Sequence, residues 1–82
     1  MSKRLLDGHM PKLPVLKPRE IVRKLKRLGF TEHHQVGSHL TMKHPSTNRR
    51  AVIPMHLSDM KKGTIAAILR EAEIDRDEFI NA

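Results

Sequence analysis

Eighty-two residues bound the chain to one small domain, and sixteen Lys plus Arg against nine Asp plus Glu leave a formal charge of +7. There is no cysteine, so a disulfide framework and a thiolate metal site are both excluded, and a reducing cytoplasm is the expected compartment. Trp and Tyr are absent, which argues against base readout on an aromatic platform, and no apolar run reaches membrane-spanning length. The expected partners are a phosphate backbone or an acidic protein, not a membrane.

In chain order, residues 1–17 read as a disordered lead-in. Pro11, Pro14 and Pro18 break any helix there, and Gly8-His9-Met10 reads as a cloning remnant ahead of a native start at Met10. Residues 18–82 are then expected to form a single domain. A first helix is predicted over residues 18–28. Pro18 suits the first helical position, Glu20 complements the positive helix end, and Gly29 suits the left-handed stop. Ile21, Val22, Leu25 and Leu28 make one apolar face. Arg19, Arg23, Lys24, Lys26 and Arg27 cover the rest, individually as solvated cations and collectively as an anion-facing surface.

Three strands are predicted over residues 32–36, 39–44 and 50–54. Gly37-Ser38 is a two-residue hairpin loop in which glycine supplies the positive φ of a type II′ turn. Pro45-Ser46-Thr47-Asn48 is the second connection. The first turn pairs Val36 with His39, Gln35 with Leu40 and His33 with Met42. With Leu40 and Met42 inward, His33 and Gln35 also face the core, while His34, His39, Thr41 and Lys43 face away. Phe30 has the wrong parity for the start of the first strand; it packs from the loop, the alternative being a bulge that shifts the register. His44 is read as an exposed turn residue.

A second long helix is predicted from residue 60 or 61 to 73, capped by Ser58 or Asp59, with Ile65, Ile68, Leu69 and Ala72 as its stripe. Lys61-Lys62-Gly63-Thr64 in its first turn puts cations beside unpaired backbone N–H groups, an anion-binding corner. Asp75-Arg76-Asp77-Glu78 opens a short terminal helix through a capping box, folding Phe79 and Ile80 onto the core. Helix, three strands and helix give an α+β two-layer sandwich, a three-stranded antiparallel sheet with two helices on one face. A double-stranded-RNA-binding domain has this order too, with lysines at the start of its last helix.

The blocks Leu28-Gly29-Phe30, Gln35-Val36-Gly37-Ser38-His39, Val52-Ile53-Pro54 and Lys61-Lys62-Gly63-Thr64-Ile65, with Ile68-Leu69, resemble the HicA toxins. These are small mRNA interferases of toxin–antitoxin pairs, and the resemblance covers residues 18–80. It implies a double-stranded-RNA-binding-like fold and ribosome-independent cleavage of mRNA without metal or cofactor. It also implies a HicB-like antitoxin that covers the active surface. His39 stands where the family has its catalytic histidine, and His56 matches a position often polar or basic there, a candidate RNA contact. Where the family often has Arg-Gln-Lys before Gly-Ser-His, this chain has His34-Gln35-Val36.

Cleaving an RNA phosphodiester requires deprotonating an attacking hydroxyl, most economically the neighbouring 2′-OH. It also requires stabilising charge on phosphorus and protonating the leaving oxygen. His39 can serve the first or last step. Lys61, Lys62 and Lys43 can offset the developing charge, and His34 shares the predicted face of His39. No acid or base partner for His39 follows from spacing. A zinc site from the strand histidines is not expected, because adjacent strand residues point to opposite faces and no cysteine completes a tetrahedron. The competing readings are a non-catalytic RNA-binding module of double-stranded-RNA-binding type and a protein whose basic face docks an acidic partner permanently.

Overall fold

The computed structural model describes residues 12–82. The suspected cloning remnant and the assignment of residues 1–11 as lead-in lie outside the described residues. Six elements follow in order: α1 (Pro18–Arg27), β1 (Thr31–Val36), β2 (His39–Lys43), β3 (Arg50–Pro54), α2 (Lys62–Glu71) and α3 (Arg76–Ile80). The strands form one antiparallel sheet in the order β1-β2-β3. Leu40, Met42, Ala51 and Ile53 point inward and join Ile21, Leu25, Ile65, Leu69 and Phe79 in a single core. This is the expected α+β sandwich of helices on an open sheet.

The helix ends show why the chain turns where it does. Glu20 accepts the Lys17 N–H at 2.8 Å through Oε1, which holds the start of α1. After Leu28 the chain needs a left-handed residue, and Gly29 supplies it at φ +97°. The Phe30 N–H then reaches back to the Leu25 carbonyl at 3.0 Å, and the Phe30 side chain is buried. Phe30 therefore packs from the loop, and the alternative, a bulge that shifts the register, is present as well, at His33. At the C-terminal end, Asp75 accepts the Glu78 N–H at 3.2 Å and opens α3.

Five expectations are corrected. First, the lead-in does not extend to residue 17: Leu13 is buried, and Leu16 and Met60 exchange backbone bonds of 3.2 and 2.6 Å. Apolar side chains spaced between prolines are held here by tertiary contact, which helix-breaking residues do not forbid.

Second, His33 does not pair with Met42. Glu32 does, and a bulge at His33 absorbs the extra residue before His34 pairs with Thr41. His33 is thus exposed and not a spacer against the core. Gln35 is exposed too, because both helices lean towards β3 and leave the β1 edge uncovered.

Third, α2 starts at Lys62 with Lys61 as its cap residue, and neither Ser58 nor Asp59 caps it. The Leu16–Met60 pairing keeps the backbone extended through Met60, so the helix cannot begin earlier. Its other end also comes early, at Glu71, with Glu73 in the left-handed region at φ +55°.

Fourth, β2 ends at Lys43, and His44 is half-buried. Its Nδ1 accepts the N–H groups of Ser46 and Thr47 at 3.2 and 3.3 Å, and its ring stands edge-on to Phe30 at 5.3 Å.

Fifth, the cations of α1 do not form one surface. Lys24 Nζ donates to the carbonyls of Phe79, Ile80 and Ala82, at 3.4, 3.1 and 3.3 Å, and Arg27 also reaches Ala82. These two cations secure the end of the chain instead of facing a ligand.

Candidate active site at the hairpin tip

The β1–β2 turn is as tight as its two residues allow. Val36 and His39 are register partners across it, and Gly37 takes φ +58°. No atom lies within 4 Å of the place a Cβ would occupy on Gly37, so backbone conformation and not space selects glycine here. Gln35 closes the turn from the side by donating Nε2–H to the Gly37 carbonyl at 2.9 Å.

The next two residues link this tip to the end of β3. His39 faces Pro54 across the sheet, so the residues just past β3 come up beside the tip. The Met55 N–H donates to the Ser38 carbonyl at 2.7 Å. Ser38 Oγ lies 3.1 Å from His56 Nδ1. The rings of His39 and His56 are 6.1 Å apart with planes inclined at 57°, and both residues are exposed. Two imidazoles and a hydroxyl thus meet at the open rim of the sheet.

The other expected site residues spread out from this point. His34 and Thr41 are partners on the outer sheet face with His39, and Lys43 shares that face beside Arg50. Lys43 is four residues along β2 from His39, about 13 Å of strand at the usual rise. It is therefore placed to meet a different part of an extended ligand, not the group touching His39. Lys61 and Lys62 are exposed at the start of α2, where no acidic residue sits in the first turn. They lie at the other end of the loop that carries His56. Among the described residues no three His, Cys, Asp or Glu side chains converge as metal ligands, and no helix is long and apolar enough to cross a membrane.

One feature of the surface was not resolved by reading the residues in order. Two adjoining clefts beside α1 share Arg19, Arg23 and Met55 as lining, and Lys26, Glu32 and Gln35 extend one of them along β1. Met55 is the chain neighbour of His56, but neither His39 nor His56 lines these clefts, which lie on the helix side of the sheet. The signal was present in the spacing. Residues 19, 23 and 26 form one helical stripe, whereas Lys24 and Arg27 lie on the next and reach the C-terminal residues. Lys26 is partly neutralised by Glu32 at 2.8 Å, an exposed pair.

These features define a small basic α+β domain with an uncovered sheet face and titratable groups gathered at one hairpin tip. The chain belongs to the HicA toxin family: the family model described as the HicA toxin of bacterial toxin–antitoxin systems matches residues 18–74. It is therefore the toxin component of a toxin–antitoxin system. The match takes in α1, the whole sheet and α2, and includes the hairpin tip. No curated protein matches the sequence significantly.

Proposed function

We propose that this toxin is a ribosome-independent endoribonuclease that cleaves mRNA through His39, and that a HicB-like antitoxin inhibits it by covering the hairpin tip. The observation that carries the reading is the exposed His39 on a rigid two-residue turn, within a family of toxins and in a strongly cationic domain. The turn gives the imidazole a fixed position without burying it, which a proton-transfer group acting on a polymer requires. The double-stranded-RNA-binding-like order of elements supports a nucleic-acid ligand. His34, Lys43, Lys61 and Lys62 contact the RNA backbone and hold the strand in register. The reaction takes place in the cytoplasm, where mRNA and antitoxin are both present.

The test compares the unaltered protein with His39→Ala on a long unstructured transcript in the absence of ribosomes. Cleavage by the first and loss of cleavage in the second, with circular dichroism and RNA affinity unchanged, is the expected result. His39 is exposed, so its replacement changes stability by no more than about 0.5 kcal/mol. Binding without cleavage by the unaltered protein would instead assign the chain as an RNA-binding module. Equal cleavage by both proteins would remove His39 from the mechanism.

A further inference from the structure

We infer that His56 is the second proton-transfer group of this site, working with His39 on opposite sides of one scissile phosphate and held in place by Ser38. The inference rests on the ribonuclease reading above and deepens it. A phosphodiester cleavage moves two protons, one off the attacking hydroxyl and one onto the leaving oxygen. A single imidazole must do both in turn, whereas two can do them together.

The backbone around His56 is fixed at several points. Met55 is bonded to Ser38 in the hairpin turn at 2.7 Å, and the Leu57 N–H closes a turn onto the Pro54 carbonyl at 3.4 Å. Pro54 is itself the register partner of His39. The His56 ring is then oriented by Ser38 Oγ on its Nδ1 at 3.1 Å, which leaves Nε2 for a ligand. A serine hydroxyl both donates and accepts, so it holds the ring in either protonation state. This is the arrangement of a proton-transfer group kept in position by a third residue. Ser38 is a positioning residue in this scheme, and its covalent neighbour is His39. With ring centres 6.1 Å apart and both rings exposed, one phosphate can touch the two imidazoles at once.

The step balances without any added reagent. One imidazole takes the proton of the 2′-OH as the O2′–P bond forms. The other gives its proton to O5′ as the P–O5′ bond breaks. The products are a 2′,3′-cyclic phosphate and a 5′-hydroxyl, with the proton inventory of the pair unchanged and its distribution reversed.

The experiment measures kcat, KM and the pH profile of cleavage for the unaltered protein, His56→Gln, His56→Ala, Ser38→Ala and Ser38→Thr. RNA affinity is measured for the two His56 variants in a His39→Ala background. The expected profile of the unaltered protein is a bell. Both His56 variants should lose about 10²–10⁴-fold in kcat with KM little changed, and one limb of the bell should vanish. Ser38→Ala should keep both limbs with a smaller loss of kcat, and Ser38→Thr, which retains the hydroxyl, should recover it. The fragments should carry cyclic phosphate ends. If the His56 variants raise KM or weaken RNA binding while kcat and both limbs persist, His56 is a contact residue and the inference is overturned. Should the unaltered protein bind the transcript and leave it whole, the ribonuclease reading itself fails. Circular dichroism of each variant separates either outcome from misfolding.

Discussion

Replacing Gly29 by alanine tests the junction between α1 and β1, and its cost can be built up from the geometry. At φ +97° the backbone lies beyond the left-handed well near +57°, and an L side chain there costs about 1–2 kcal/mol. The new Cβ would stand 2.7 Å from His44 Nε2, closer than a carbon and a nitrogen can approach. The His44 ring must therefore move. It is held by two N–H bonds from the following turn and by its edge contact with Phe30. Long hydrogen bonds of this kind and one aromatic pair contribute about 0.5 kcal/mol each at the low end of their ranges. Displacing the ring adds about 1–2 kcal/mol, for a total of about 2–4 kcal/mol, a large fraction of what an 82-residue domain possesses. Urea denaturation followed by circular dichroism measures it. In a His44→Ala background the same replacement should cost only the backbone part, so the double-mutant cycle should show about 1–2 kcal/mol of coupling. Strict additivity would refute the steric argument. Gly37→Ala is the control: its Cβ meets nothing, so it should cost about 1–2 kcal/mol with or without His44.

Lys24→Met should destabilise the domain by about 1–2 kcal/mol in thermal melts, because three carbonyls lose their donor, while RNA affinity stays near its original value. Lys61→Gln and Lys62→Gln should do the reverse. Stability should hold, while a plot of log affinity against log salt should become shallower by about 0.7 per lysine for a single strand. Phe79→Ala should cost about 3–5 kcal/mol, since this fully buried ring joins α3 to the core, and chemical denaturation would expose a smaller value at once.

Local rules carried much of the fold. Gly29 ends α1 where expected, and the Gly37-Ser38 turn dictates the pairing of Val36 with His39 and of Gln35 with Leu40. From there the parity argument breaks down. Glu32-His33-His34 contains no apolar residue to tell inside from outside, so nothing in the strand announces that His33 is skipped. The N-terminus of α2 escapes a local reading for a related reason. Ser58 and Asp59 are good caps in isolation, but Met60 is committed to Leu16, forty-four positions earlier, and a local pattern carries no record of that contact. His44 beside Pro45 reads as an ordinary turn residue until its ring nitrogen is seen to close the turn. The link from Ser38 to His56 lay partly within reach, because opposing Pro54 to His39 in the register brings the following residues to the tip. What could not be read was the rotation of the serine side chain towards the imidazole.

The hairpin tip stands apart from what keeps the domain folded. Every residue of β1 is exposed, and Ser38, His39 and His56 contribute nothing to the core. Genetic selection for survival of cells that make the toxin should therefore yield disarmed proteins that still accumulate intact, with lesions concentrated at Ser38, His39 and His56. Where such a lesion spares the contacts of an antitoxin seated over the tip, the protein would titrate antitoxin away from active copies. In a cell holding both forms, a harmless allele would then raise the effective dose of the dangerous one.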